Sequence, residues 1–288
     1  MVMVEQPRYT PVELIRITAE YFKTKEIDAP RLEAEVLLAY LLDVDRLKLY
    51  LDFDKPMTQD EVSGYRLLVR RRAHGEPTAY ICGKREFWSL DFEVCPGVLI
   101  PRPDTEVLVE RALEVMGDRG TFLEVGVGSG AISTALLKER GGWSGVGVEI
   151  SPDAAGVAAR NIEKHGVAER YELLTGDLYE PALGRTFKII VANPPYIPTE
   201  EIGGLDRGVS MYEPRVALDG GRDGLDIIRR LGQGAAALLE GDGYLLLEFG
   251  AGQGQAVKRI FEEIGSFDLV ELLKDYSGRD RVLRARLG

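Results

Sequence analysis

The sequence predicts an α/β protein, an open and largely parallel sheet preceded by a small all-helical amino-terminal domain. Three observations carry that prediction. From about residue 120 onward, short apolar runs of strand length alternate with amphipathic helical stretches. A glycine-rich loop, Gly126-Val127-Gly128-Ser129-Gly130, stands between one such run and a helix. Another run, Ile189-Ile190-Val191-Ala192, stops on Asn193-Pro194-Pro195-Tyr196. Residues 1–75, by contrast, show helix caps and helical spacing with no strand pattern.

Length and composition bound what such a protein does. The chain has 288 residues, room for two domains, and 45% of them are hydrophobic, as in an ordinary folded protein. It contains no apolar run of bilayer length, and residues 1–10 lack a signal-peptide pattern, so a cytoplasmic protein without a membrane partner is expected. A net charge of −11 disfavours indiscriminate binding to phosphate backbones, and no direct nucleic-acid partner is expected. Cys82 and Cys95 match no metal or redox spacing and read as core fillers. His74 and His165 lack ligand neighbours in sequence, which argues against zinc chemistry and a Ser-His-Asp triad; no metal site is expected.

In chain order, Thr10-Pro11-Val12-Glu13 is a capping box with proline in the first turn, opening a helix to about Lys25. A second helix begins near Pro30 and is expected to bury Leu32, Val36, Leu37, Tyr40 and Leu41. A short one follows over residues 45–51. Thr58-Gln59-Asp60-Glu61 repeats the capping box, and the helix after it sets Val62, Tyr65, Leu68 and Val69 on one face. Its far end carries Arg66, Arg70, Arg71 and Arg72, either a solvated face that suits the macrodipole or a patch for an acidic partner.

Strand-like alternation over residues 86–94 suggests a β-hairpin joining the domains. Leu99-Ile100-Pro101-Arg102-Pro103-Asp104-Thr105-Glu106 is a stiff loop, with Asp104 or Thr105 capping the helix that bears Val107, Leu108 and Leu113. The division expected is a helical domain 1–75, a hairpin linker 76–104 and a sheet domain 105–288.

The sheet begins with residues 121–125, followed by the glycine loop and a helix over residues 131–138. That order lets backbone N–H groups approach a ligand at a helix amino end. Glu149 ends the next strand, about 20 residues beyond the loop, where an acidic group binds ribose hydroxyls. Gly126, Gly128 and Ala131 also satisfy a relaxed dinucleotide fingerprint, so a nicotinamide cofactor stays in view at this point. A third strand, residues 171–174, leads to Asp177, which either accepts from an adenine amino group or caps a turn. Residues 245–249, 269–273 and 282–287 complete seven strands, the last two as an antiparallel hairpin, after a turn over residues 240–244. Residues 203–224 are long for a loop and are expected to cover a substrate site.

Asn193 carries the chemistry. Proline pushes its predecessor toward extended geometry, which holds Asn193 at a strand's carboxyl end, the ligand edge of an open α/β sheet. Its carboxamide oxygen and the Pro194 carbonyl are two acceptors suited to an NH2 group, and Tyr196 adds a flat face and a hydroxyl. The plainer alternative is a rigid turn.

Together these residues resemble class I S-adenosylmethionine-dependent methyltransferases of the amino-methylating kind, with a seven-stranded Rossmann-like sheet. The nearer resemblance is to HemK-type (PrmC-type) glutamine methyltransferases of peptide chain release factors. It rests on Arg85-Glu86-Phe87-Trp88-Ser89-Leu90, on residues 99–106 and 191–197, on Tyr212-Glu213-Pro214-Arg215-Val216-Ala217-Leu218-Asp219-Gly220-Gly221, and on Asp275-Tyr276-Ser277-Gly278-Arg279-Asp280-Arg281. Glu124, Val127 and Asp104 stand where that family usually has Asp, Thr and Glu. The resemblance implies methyl transfer to the side-chain nitrogen of the glutamine in the Gly-Gly-Gln tripeptide of class 1 release factors, leaving S-adenosylhomocysteine. It implies that Gly126, Val127, Gly128, Ser129, Gly130, Glu149, Asp177, Leu178 and Asn193 bind the cofactor, with Asp177 and Leu178 bordering adenine. Asn193, Pro194, Pro195 and Tyr196 would hold the glutamine, with Asn193, Pro194 and Tyr196 catalytic and the helical domain recognising the substrate protein. An adenine-specific nucleic-acid methyltransferase and a non-catalytic cofactor-binding scaffold are the alternatives.

Overall fold

The computed structural model describes residues 9–52 and 54–288. Residues 1–8, on which the expectation of no signal peptide bears, lie outside the described residues. Among the described residues no helix is long and apolar enough to cross a membrane. The chain divides into two compact units: one ends at Gly83 and takes in Arg207–Tyr212, and the other comprises Lys84–Asp206 and Glu213–Gly288.

The first unit contains α1 (Pro11–Lys23), α2 (Pro30–Leu42), α3 (Arg46–Leu51), α4 (Gln59–Ala73) and α5 (Thr78–Cys82). Both capping boxes form, Thr10 with Glu13 and Thr58 with Glu61. Leu14, Phe22, Leu37, Leu49, Val62 and Tyr65 share one buried cluster. In α2 the expected face is partly wrong: Leu32 and Tyr40 are 42% and 46% exposed, while Ala34 and Leu38 are buried. This helix is apolar around most of its girth, so spacing alone does not choose a side and packing against α1 and α4 does. Helix α5 is too short to leave a periodic signal. Arg71 and Arg72 are paired with Glu76 and Glu33, whereas Arg66 and Arg70 are exposed.

The second unit opens with the hairpin β1 (Lys84–Phe87) and β2 (Leu90–Glu93), turned through Trp88 and Ser89 at φ 54° and 56°. Two left-handed residues give the turn whose twist matches a two-residue hairpin. Trp88 N–H donates to Glu106 and Asn161 bridges Glu93 to Ser129, which ties the hairpin to the helices behind the sheet. Cys95 is exposed in the turn after β2, so it is no core filler, and Cys82 is half-buried.

Then follow α6 (Glu106–Val115), β3 (Gly120–Val125), α7 (Ala131–Glu139), β4 (Trp143–Glu149), α8 (Pro152–Lys164), β5 (Tyr171–Thr175) and β6 (Phe187–Ala192). After α9 (Arg207–Tyr212), which belongs to the helical unit, come α10 (Asp226–Ala235), β7 (Leu239–Glu248), α11 (Gly254–Ile264), β8 (Phe267–Lys274) and β9 (Asp280–Leu287). The seven strands β3 to β9 form one sheet in the order β5-β4-β3-β6-β7-β9-β8, parallel through β7 and antiparallel at β9 and β8. Residues expected to turn at 240–244 lie inside β7, because the pairing jumps from Phe187↔Leu239 to Ile189↔Tyr244 and absorbs them as a bulge.

Alternate residues of the central strands enter two cores. Phe122, Ile189, Val191 and Leu246 pack with α6, α7 and α8, and Leu123, Ile190, Ala192 and Leu247 with α10 and α11. Covering both faces is why these strands read as unbroken apolar runs. Gly145 and Gly147 make room for neighbours: a Cβ on Gly147 would stand 1.9 Å from the Tyr171 hydroxyl. The chain runs from β3 outward to β5, then returns to β6 on the other side of β3. The carboxyl ends of β3 and β6 therefore flank the switch point, where an open α/β sheet leaves a crevice.

Candidate active site

Register fixes what meets at that crevice. Val125 pairs with Ala192 and with Val148, and Ala192 pairs with Leu247. The next residue on each strand is thus Gly126, Asn193, Glu149 and Glu248, side by side along one edge. Asp177 lies two residues beyond the end of β5, the outermost strand of this edge.

The loop after β3 is shaped by three left-handed glycines, Gly126, Gly128 and Gly130 at φ 79°, 58° and 81°. A Cβ on Gly126 or Gly128 would meet nothing within 4 Å, so this side of the loop is open for a ligand to approach the backbone. A Cβ on Gly130 would instead stand 3.4 Å from Ala158. Val127 turns its side chain into the core, and buried Ser129 offers its carbonyl to Asn161. Replacing the usual Thr by Val127 and Asp by Glu124 therefore leaves the loop backbone intact. Glu124 is wholly buried, accepts from Ser133 Oγ and from Ser133 N–H at 3.1 Å, and burial pushes its carboxyl up to about 8.

Glu149 is buried at the end of β4 and accepts from Gly128 N–H at 2.8 Å and from Ser151 N–H at 2.9 Å. It braces the glycine loop, and its remaining lone pairs suit a ribose diol. Together with the open side of the loop, this donor and acceptor set fits a nucleoside ligand. Asp177 accepts from Arg230 of α10 at 2.6 Å, so any amino group it meets shares the carboxylate with a guanidinium. Leu178 adopts φ 47° and packs against the core under α10.

Asn193 is half-buried, and its Nδ2 donates to Thr105 Oγ1 at 3.0 Å. Pro194 is buried; Pro195 and Tyr196 are half-buried. Tyr196 donates its hydroxyl to Glu248 Oε1 at 3.2 Å, and burial raises its pKa well above the ordinary phenol range. The Tyr196 carbonyl accepts from Gln253 Nε2 at 2.8 Å. Ile197 exchanges backbone hydrogen bonds with Leu218 and Gly220 at 3.0 and 2.9 Å. Gly220 and Gly224 come so close to this segment that a Cβ on Gly220 would lie 2.8 Å from the Pro195 carbonyl oxygen and one on Gly224 2.3 Å from that of Tyr196. Gly220 and Gly224 thus let residues 218–224 lie directly against the backbone of residues 195–197.

The stiff loop of residues 99–106 contributes three side chains. Arg102 pairs with buried Glu213, whose carboxyl burial also raises; Asp104 pairs with Arg281 at 3.1 Å; and Thr105 takes the Asn193 amide. Thr105 sits at the amino end of α6 but makes no side-chain cap, contrary to expectation for it, because its hydroxyl is engaged with Asn193. Glu248 and Gln253 escaped the sequence reading. A signal existed for Glu248: like Asn193, it is a polar residue ending an apolar run.

Comparisons with known proteins add the following. A family model described as "PrmC N-terminal domain" matches residues 13–83, and one described as "Methyltransferase small domain" matches residues 103–203. The chain is 45% identical to a release factor glutamine methyltransferase of Geobacter sulfurreducens over 99% of its length and 100% of the relative's. It is 44% identical to one from Moorella thermoacetica, covering 90% of this chain and 92% of that one. Among solved structures, a methyltransferase from Pyrococcus furiosus superposes with a TM-score of 0.53 at 18% identity, over 69% of this chain and 89% of the other, a likeness of fold.

Proposed function

The chain belongs to the release factor glutamine methyltransferase family, and from that premise we propose that residues 193–196 hold a release-factor glutamine by its side-chain amide. S-adenosylmethionine supplies an electrophilic methyl group on a sulfonium centre, and the protein transfers that group to the amide nitrogen. In this reading Gly126, Val127, Gly128, Ser129 and Gly130 line the cofactor through their backbone and Glu149 takes its ribose. Asp177 and Leu178 border the adenine. The observation that carries the assignment is the register pair Val125↔Ala192, which sets the open glycine loop and the Asn193 carboxamide on adjacent strand ends.

The residues act by position. An amide nitrogen is a weak nucleophile because its lone pair is delocalised into the carbonyl. Asn193 Oδ1 and the Pro194 carbonyl each accept one N–H of the glutamine, which aims the remaining face of the nitrogen outward for near-attack geometry. The same two acceptors favour positive charge developing on that nitrogen. An N-alkylated amide cation loses its proton readily, so the site needs no strong base. Tyr196, held by Glu248, walls the planar amide. The helical domain, residues 1–75, is the part assigned to recognising the substrate protein, and the Gly-Gly-Gln glutamine of class 1 release factors is the target.

Purified protein mixed with labelled S-adenosylmethionine and either a release factor or adenine-containing DNA tests this by peptide mass spectrometry. Label is expected on the Gly-Gly-Gln glutamine. Label on adenine would overturn the substrate while keeping the site chemistry, and label on neither would overturn the activity.

A further inference from the structure

Tyr276 is the most exposed large apolar side chain among the described residues, at 74%. It stands in the turn between β8 and β9, and strand register places that turn. Strand β9 runs antiparallel to β7 and opens opposite its end, with Val282 paired to Glu248. Residues 275–279 therefore project from the same edge of the sheet as Gly126, Glu149 and Asn193. In the order β6-β7-β9, two strand spacings separate the turn from Asn193, about 10 Å.

An exposed tyrosine alone signals nothing. This one is set apart by how firmly its turn is held. Asp275 accepts from the backbone N–H groups of Ser277 and Arg279 at 2.9 and 3.0 Å, and its own N–H donates to the Arg279 carbonyl at 2.8 Å. Buried Arg281 pairs with Asp275 at 3.6 Å and with Asp104 at 3.1 Å. Asp104 precedes Thr105, which takes the Asn193 amide, so the turn is tied to the loop that holds Asn193. The Tyr276 hydroxyl donates to Glu110 Oε2 of α6 at 3.2 Å, which fixes the ring at both ends. Burying a guanidinium is costly, and an ordinary surface turn closes without one. A tyrosine held this way offers a flat apolar face that loses little freedom on contact, the property of a binding anchor.

The glutamine of the proposed reaction belongs to a protein, so the chain that carries it must cross the edge of the crevice to reach Asn193. About 10 Å of extended backbone is about three residues. The Tyr276 ring thus stands where the release factor passes just outside its Gly-Gly-Gln tripeptide. Resting on the proposed role of Asn193, we infer that the turn of residues 275–279 is a docking element for the release factor, with Tyr276 as its anchor and Asp275 and Arg281 as the residues that position it. The turn sets affinity for the protein substrate and takes no part in methyl transfer. Residues 275–281, which the chemistry at Asn193 does not itself require, thereby acquire a purpose.

The test uses the full-length protein, S-adenosylmethionine and a release factor, and measures KM for the release factor separately from single-turnover rate at saturation. Tyr276→Ala is expected to raise KM by about 5- to 30-fold, the range for losing an aromatic anchor. The rate at saturation and the affinity for S-adenosylmethionine should stay within about 3-fold, a split that a merely structural role does not give. Tyr276→Phe keeps the ring and should hold KM within about 3-fold of the parent. Asp275→Ala leaves Tyr276 in place and unties its turn, so KM should rise again. The Asp275→Ala/Tyr276→Ala double variant should exceed Tyr276→Ala by less than about 3-fold, because both changes disable one element. Fully additive effects would overturn the positioning role. A parent-like KM in Tyr276→Ala, or a loss of rate and cofactor affinity as large as the rise in KM, would overturn the docking role and leave the site assignment standing. No methyl transfer to the release factor by the parent protein would overturn the reading beneath it.

Discussion

At the scale of single residues, two side chains at the ends of the strands on either side of β3 are expected to separate binding from chemistry. Asn193→Ala removes one of the two acceptors for the substrate amide and frees Thr105. Turnover should fall by at least about 100-fold, while affinity for S-adenosylmethionine, read by calorimetry, changes little. An undiminished single-turnover rate would sink the role given to Asn193. Glu149→Ala should do the converse. Its carboxylate braces Gly128 and Ser151 through two backbone N–H groups, and its loss leaves both donors unpaired and the ribose without its acceptor. Cofactor affinity is expected to weaken by about 10- to 100-fold, the range for a hydrogen bond to a charged group. Affinity within a factor of two of the parent would remove Glu149 from the cofactor site.

At the scale of elements, close approach rather than propensity explains several choices. Strand β4 carries Gly145 and Gly147, poor strand formers, because Phe122 and Tyr171 cross its face. A Cβ on Gly147 would lie 1.9 Å from the Tyr171 hydroxyl and 2.6 Å from Val127 Cγ2. Gly147→Ala is therefore expected to cost at least about 1 to 3 kcal/mol of stability through overpacking, measured by urea unfolding. A midpoint equal to the parent's would mean that Tyr171 moves aside freely. The turn from residues 218 to 224 follows the same logic, its glycines letting one backbone lie directly on another behind residues 195 and 196. Such glycines look like loop punctuation in sequence, since the partner they admit is elsewhere in the chain.

At the scale of the whole molecule, buried acids tie stability to pH. Burial pushes Glu124 up to about 8 and Glu248 up to about 7, from 4.5 for an ordinary glutamate. Between the unfolded and folded values the native state holds more protons than the unfolded chain, so its stability falls as pH rises. This contribution is complete below about pH 4.5 and is lost as pH climbs through about 7 to 8. Glu124→Gln, which keeps the shape and cannot ionise, should flatten the decline in Tm between about pH 6 and 9 relative to the parent. Parallel Tm profiles for the two proteins would show that Glu124 does not carry the effect.

The order of elements, both capping boxes, the hairpin and the run of strands were legible in the sequence because each is written locally, in caps, periodicity and turn residues. So were the glycine loop, Glu149 and residues 193–196, since polar and glycine residues that interrupt apolar runs mark strand ends. The choice of face on α2 was not legible, nor were the bulge inside β7, the diversion of Thr105 from a helix cap, or the place of Glu248 behind the site. Those depend on which segments become neighbours. Thr105 and Asn193 are 88 residues apart, as Tyr196 and Glu248 are 52 apart. A hydroxyl or a carboxylate has no local preference strong enough to announce a partner at that separation; only the register of β6 against β3 and β7 brings the pairs together.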